Sequence, residues 1–207
     1  MLKPRTTYCQ QWGAHTVSYR QIQNGLEDVP LFDPNLVREV NFKECSGTYN
    51  PEISPESPGE GLLMRPLKIS DYDRGFMELL KQLTVVGDVS REQFEARFNS
   101  MLGCKNGYYT VVIEDTTCGQ VIGAATLAVE QKFIHECSSK GRIEDVVVDN
   151  KYRGKQLGKL LLDFLTLLSR HVGCYKVSLE CKDQVVKFYT NFGYVKEEGQ
   201  NYMCRRF

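Results

Sequence analysis

Between Gly141 and Arg170 an apolar run, Ile143 to Val148, gives way to Tyr152-Arg153-Gly154-Lys155-Gln156-Leu157-Gly158 and then to a leucine-rich segment. The order reads as strand, glycine-containing turn and helix. Leu157, Leu160, Leu161, Phe164, Leu165, Leu168 and Val172 recur at helical spacing, so the helix has a wide apolar face to lay on a sheet. Val146, Val147 and Val148 suit a strand covered on both faces. The first N–H groups of a helix have no acceptor inside it, and their aligned dipoles favour negative charge. A phosphate-bearing ligand is expected at the turn.

Glycine lets backbone amides approach phosphate oxygens without a Cβ in the way, and three such loops differ in spacing. A P-loop needs Gly-x-x-x-x-Gly-Lys-Ser/Thr and a dinucleotide site needs Gly-x-Gly-x-x-Gly; neither occurs here. Gly154 and Gly158 also read as ordinary turn and packing glycines. Arg153-x-x-x-x-Gly158 with Gly154 inside it resembles the pyrophosphate loop of the GNAT acetyltransferase superfamily, whose usual pattern is Gln/Arg-x-x-Gly-x-Gly/Ala. Gln156 stands at the first glycine of that pattern, so its amide is expected to donate from a conformation a side chain can adopt. The resemblance implies acetyl-CoA as co-substrate, held by Val146, Val147, Val148, Arg153, Gly154, Lys155, Gln156, Leu157 and Gly158.

At 207 residues the chain suits one domain plus an arm. The 26 Lys and Arg balance the 26 Asp and Glu, so nothing global points to nucleic acid or an anionic membrane. From Lys140 onward there are 13 basic and 8 acidic residues, a bias that suits an anionic cofactor or merely a solvated surface. The eight cysteines form no Cys-x-x-Cys pair and no zinc-type cluster with histidine, so no metal is expected. Free thiols in a reducing compartment are the simplest account, with Cys174 and Cys181 as small buried hydrophobes.

Residues 1–30 have no acidic residue until Glu27 and faintly resemble a transit peptide; a disordered extension fits better. Residues 31–60, with Pro51, Pro55 and Pro58, read as an arm or linker, so 1–60 is assigned as an extension and 61–207 as the domain. No membrane-spanning stretch occurs. A cytoplasmic protein is expected, with peripheral attachment to an organelle surface left open.

The domain predicts a strand at Leu62–Leu67, a helix over Tyr72–Leu83, and a second helix capped by Ser90 with Gln93 and ending near Leu102. Strands Tyr108–Glu114 and Val121–Val129 follow, joined by a hairpin, then the central strand and long helix. A strand at Tyr175–Cys181, a helix around Val185–Phe192 and a last strand near Tyr202 close the order. That order is the GNAT order, an α/β (α+β) fold with a mixed central sheet flanked by helices.

Gln82-Leu83-Thr84-Val85-Val86-Gly87, Lys132-Phe133-Ile134-His135, Gly141-Arg142-Ile143-Glu144-Asp145-Val146, Cys174-Tyr175-Lys176, Phe188-Tyr189 and Asn201-Tyr202-Met203-Cys204-Arg205-Arg206 are similar to the eukaryotic glucosamine 6-phosphate N-acetyltransferases. An amine attacks a thioester only after losing a proton, so an acceptor is needed near it. Glu144 and Asp145, adjacent on a strand, are expected on opposite faces. The resemblance places Glu144, Asp145 and Val146 at the substrate and acetyl group, with Glu144 orienting and deprotonating the amine and Asp145 fixing hydroxyls or local structure. Either acid also reads as a partner of Arg142. Negative charge on the thioester oxygen calls for amide donors near Val146 to Val148. Tyr189 matches the tyrosine that serves the leaving thiolate, and equally reads as core packing.

The same resemblance puts Lys132, Phe133, Ile134, His135, Tyr175 and Lys176 around the sugar phosphate and hydroxyls, with Thr84, Glu180 and Arg206. It implies a homodimer in which Arg206 serves the partner's site; a solvated basic tail is the plain reading of Arg205-Arg206. Relatives place asparagine at Val185. A GNAT acting on a protein N-terminus or lysine, and a silent CoA-binding module, stay open as alternatives.

Overall fold

A computed structural model describes residues 28–206, so the reading of the first 27 residues lies outside it. Five strands form one sheet in sequence order: β1 Leu62–Pro66, β2 Tyr108–Asp115, β3 Gln120–Gln131, β4 Ser139–Val148 and β5 Cys174–Leu179. The first three pairings are antiparallel and β4 with β5 is parallel. Val111, Val112 and Ile113 on β2 are wholly buried, which requires cover on both faces of the sheet. Between β2 and β3, Asp115 Oδ1 accepts from Thr117 N–H at 2.9 Å and Gly119 takes φ 70, closing the expected hairpin.

One face of the sheet carries α2 (Phe76–Lys81) and α3 (Arg91–Gly103). The expected helix from Tyr72 to Leu83 is broken instead. A 3₁₀ turn, Ile69–Tyr72, precedes Gly75 at φ 80, and only then does α2 begin. At that φ a side chain in place of Gly75 would be strained. The turn is anchored by fully buried Asp71, whose carboxylate accepts from Arg65 at 2.8 and 2.7 Å and from Lys68 N–H at 2.8 Å. Helix α3 starts with the expected reciprocal cap between Ser90 and Gln93 and buries Phe94 and Phe98.

The other face carries α4, Leu157–His171, which is buried nearly all round: Leu162, Asp163, Leu167 and Ser169 join the predicted apolar stripe. The reason is the segment expected as an arm or linker. Leu31, Phe32, Leu36 and Val37, with Val40 and Ile53, enter the same core, with α1 spanning Leu36–Glu39. A helix sandwiched between a sheet and a packed arm keeps little solvent face, here Arg170 and His171 in its last turn.

After β5 comes α5, Val186–Thr190. The strand expected near Tyr202 does not form: residues 195–206 have no regular structure. A strand needs a partner, and none of the described strands pairs with the tail.

Candidate active site

The parallel pairing of β4 with β5 stops at Ile143 opposite Leu179, while β4 runs on to Val148. From Glu144 to Val148 the edge of β4 facing β5 therefore has no strand partner among the described residues, and an extended ligand can add to it as a strand would. Within the same stretch β4 is bulged. Thr126 pairs with Glu144 and Ala124 with Val147, so Ala125 faces both Asp145 and Val146, and Asp145 takes φ 55. The bulge corrects two expectations. Val146 and Val148 are only partly buried, so this strand is not covered on both faces. The other is strict alternation of the two acids: Glu144 lies on the side of its partner Thr126, and Asp145, displaced on the bulge, shares Ala125 with Val146 and lines the cavity. An extra residue cancels the two-residue alternation on which the expectation rested.

That cavity, about 420 Å³, lies between the sheet and helices α2 and α3, with Phe76, Phe94, Arg97, Thr110 and Thr126 among its walls. Thr110 and Thr126 share a hydroxyl hydrogen bond at 3.0 Å. Glu144 accepts from Arg142 Nε at 2.8 Å, and the same guanidinium contacts Glu180, so two of the expected substrate acids sit on one arginine.

The loop from Asp149 to Gly158 follows β4 and is held from three directions. Gln82, at the end of α2, donates to Asp149 Oδ2 at 2.8 Å and accepts from Asn150 N–H at 3.0 Å. Tyr152 donates its hydroxyl to Asp115 of the β2–β3 hairpin, which holds that carboxyl down at about 2, after the larger effect of the Thr117 hydroxyl. Gln156 contacts Asn50 and Pro51 of the arm. The first hydrogen bond of α4 runs from Leu160 N–H to Gln156 C=O, so the amides of Leu157, Gly158 and Lys159 lie ahead of it with no acceptor inside the helix. Arg153, Gly154 and Lys155 are exposed beside them.

Gly154 takes φ 84 and a Cβ added there would meet nothing within 4 Å; at Gly158 the nearest atom is Val148 Cγ2, at 3.9 Å. Packing within the chain therefore does not require glycine at 158. Open space before a helix start, with glycine where a Cβ would intrude on a ligand, fits a diphosphate. Gln156 itself takes φ 63, ψ 9. It occupies the left-handed region at a cost of about 1 kcal/mol or more, not a conformation that side chains favour.

Tyr189 lies on α5, half-buried, with ring centroids 5.2 Å from Phe188 and 6.2 Å from Tyr194. Burial, then the nearby Cys181 thiol, raises its hydroxyl above the ordinary value, so it stays protonated and able to donate. Cys174 is partly buried and its thiol is pushed up to about 11, whereas Cys181 is exposed, contrary to expectation. Val185, beside α5, is also exposed.

Of the expected phosphate-side residues, His135 and Tyr175 meet near the start of β4 and β5, the end of the sheet away from the loop. His135, Glu136 and Cys137 all have positive φ, 52, 60 and 58, a left-handed turn. It stacks the His135 ring 4.2 Å from Tyr175 of β5. Phe133 and Ile134 point to solvent, 97% and 62% exposed. Lys132 pairs with Glu130, and Lys176 lies 3.6 Å from Glu197. Thr84 lies in the turn after α2, its N–H donating to Leu80 C=O, and is exposed. Arg206 is exposed in the irregular tail. None of these lines the cavity at Asp145. Sequence reading passed over Thr110, Arg97 and Asp163; only Asp163 left a signal, an acid inside a leucine-rich helix. Among the described residues no group of three or more His, Cys, Asp or Glu is placed to hold a metal.

Comparison with known proteins agrees with this geometry. The Acetyltransferase (GNAT) family matches residues 74–194. A protein from Drosophila melanogaster described as a probable glucosamine 6-phosphate N-acetyltransferase is 50% identical over 176 residues, 84% of this chain and 80% of its own. The glucosamine 6-phosphate N-acetyltransferase of Candida albicans is 40% identical over 70% of this chain and 97% of its own. The crystal structure of glucosamine-6-phosphate N-acetyltransferase from Arabidopsis thaliana superposes with a TM-score of 0.68 at 40% identity, covering 72% of this chain and 99% of that one. Acetyl-CoA is the co-substrate of GNAT enzymes. With an opened β4 edge, a helix start free of packing demands and relatives this similar over most of its length, the chain belongs to the acetyltransferase (GNAT) family, alongside the eukaryotic glucosamine 6-phosphate N-acetyltransferases.

Proposed function

We propose that this protein transfers the acetyl group of acetyl-CoA to the amine of D-glucosamine 6-phosphate, giving N-acetylglucosamine 6-phosphate and CoA, a step toward UDP-N-acetylglucosamine. The acceptor rests on one observation, the 50% identity over 84% of the chain with the Drosophila relative that carries this activity in its description. Acetyl-CoA brings an activated acyl group, and the chain supplies position and protons. The amides of residues 154–159 hold the diphosphate, with Arg153 and Lys155 beside it. The bare β4 edge at Val146, Val147 and Val148 lines up the arm that carries the thioester and donates to its oxygen. Glu144, kept in place by Arg142, orients the amine and takes its proton through water; Asp145 on the bulge fixes sugar hydroxyls. Tyr189 donates to the departing sulfur. No acyl-enzyme forms, so no cysteine acts as nucleophile.

Lys132, His135, Tyr175 and Lys176 hold the sugar phosphate, Thr84 and Glu180 its periphery, in a homodimer where Arg206 of one copy completes the site of the other. Three observations support that assembly: among the described residues no strand pairs with the outer edge of β5, the tail beside it exposes Tyr202 and Met203, and the left-handed turn exposes Phe133. Among the described residues no helix is long and apolar enough to cross a membrane. Cytoplasmic residence belongs to the same reading and is checked by cell fractionation.

A thiol-release assay with acetyl-CoA tests the acceptor directly, comparing glucosamine 6-phosphate, glucosamine and a mixed peptide pool. Release confined to the phosphorylated sugar is expected. Release with the peptides alone would replace the sugar by a protein acceptor. Glu144→Gln should lower kcat by about 100-fold with CoA binding intact.

A further inference from the structure

We propose that residues 47–51 of the arm are a positioning element of the coenzyme corner, clasped to the first two turns of α4 by Gln156, Lys159 and Asp163. The inference rests on the reading of residues 153–158 as the diphosphate site, and gives one side chain of that loop a task turned away from the ligand. Gln156 Oε1 accepts from Asn50 N–H at 3.1 Å and its Nε2 donates to Pro51 C=O at 3.1 Å. Lys159 Nζ donates to Thr48 C=O at 2.6 Å and stands 4.9 Å above the Tyr49 ring. Asp163 Oδ2 accepts from the Tyr49 hydroxyl at 2.7 Å and from Gly47 N–H at 3.1 Å.

Positions 156, 159 and 163 follow one helical face, so a single polar row meets five consecutive arm residues. The approach is close: a Cβ on Gly47 would stand 2.4 Å from Asp163 Oδ2. The arm half of the clasp lies outside residues 74–194, the part that the GNAT family matches.

The clasp bears on the coenzyme through Gln156. Its left-handed φ sets the direction of its own N–H and of the helix start that follows, and glycine reaches that conformation without strain. In this chain the two side-chain contacts to the arm hold the backbone where the family's glycine would sit unaided. With the contacts cut, Gln156 relaxes toward the right-handed region and the amides before Gly158 turn out of alignment.

The test is titration of CoA into the full-length protein, with amide exchange of residues 47–51 followed in parallel. Gln156→Leu keeps the backbone preference of a side chain and removes both contacts, so the Kd for CoA should rise about 10-fold. Gln156→Gly also loses the contacts but regains the left-handed conformation, and should stay within about 3-fold of the parent. Lys159→Met, which cuts the arm from the next turn, should weaken binding about 3-fold. Protection of residues 47–51 should fall in all three. A merely structural clasp would make Gln156→Gly at least as damaging as Gln156→Leu, and that order overturns the proposal. So does unchanged CoA affinity in Gln156→Leu once its arm has come loose. CoA titration needs no acceptor: a parent that binds CoA yet ignores the sugar phosphate refutes the proposed reaction and leaves the clasp standing, whereas a parent that binds no CoA refutes both.

Discussion

The proposed coenzyme corner and the proposed acceptor side of this protein are built in contrasting ways. At the corner, loop 149–158 is tied to α2 by Gln82, to a hairpin by Tyr152 and to the arm by Gln156, and Leu157 behind it is 1% exposed. At the acceptor side the candidate residues lie on a left-handed turn and an irregular tail, with Phe133, Tyr202 and Met203 in solvent. A single chain finishes the first region with its own contacts. The second it leaves open, with apolar and basic groups facing outward, as a surface does when its remaining wall belongs to another molecule.

If that contrast is right, changes at the two ends separate in kinetics. Tyr189→Phe touches neither wall, only the proton offered to the sulfur, and should cut kcat by about 100-fold while leaving the KM for acetyl-CoA near its parent value. Full activity would remove the leaving-group role. Arg206→Ala should raise the KM for the sugar phosphate by about 30-fold without altering CoA affinity, as expected for a lost charged hydrogen bond. Mixing it with Glu144→Gln protein should restore activity, because mixed dimers regain one intact site. Failure of the mixture to recover would break the shared-site half of the comparison.

Smaller effects sharpen the other half. Gln82→Ala removes two hydrogen bonds from loop 149–158 and should cost about 1 kcal/mol, lowering Tm by about 3 °C with a matching loss of CoA affinity. A fall in Tm with CoA affinity unchanged would uncouple the loop from the coenzyme. The least effect is at Asp163, whose carboxyl burial holds above its usual range against the Tyr49 and Gly47 bonds. A folded pKa above the unfolded one means folding favours the protonated form, so stability from this group is present at low pH and fades as pH rises through the folded value. Asp163→Asn cannot ionise, so its Tm relative to the parent should improve from pH 4 to pH 7. A difference that stayed flat or reversed would refute the assignment.

The local rules carried the chain a long way. Ser90 with Gln93 marked the start of α3, the apolar stripe marked α4, and the hairpin at Asp115 to Gly119 needed only turn chemistry. What was missed depends on partners distant in sequence. The bulge at Asp145 exists because Ala125 must face two residues, a register that no window of β4 contains. At the break before Gly75 the Arg74 carbonyl accepts from Val121 N–H of β3, and the arm, whose prolines read as a linker, is held by an aspartate more than a hundred residues away. At the site, the residue types were legible from motif resemblance, while their grouping was not: Glu144 and Glu180 meet on Arg142, and Asp145 alone among the expected acids lines the cavity.

A crystal structure of the full chain with CoA bears most directly on the central claim. The diphosphate oxygens are expected within about 2.7–3.2 Å of the backbone N–H groups of residues 154–159, with the pantetheine arm laid along the open edge of β4. A coenzyme bound elsewhere, with that helix start empty, would contradict the account.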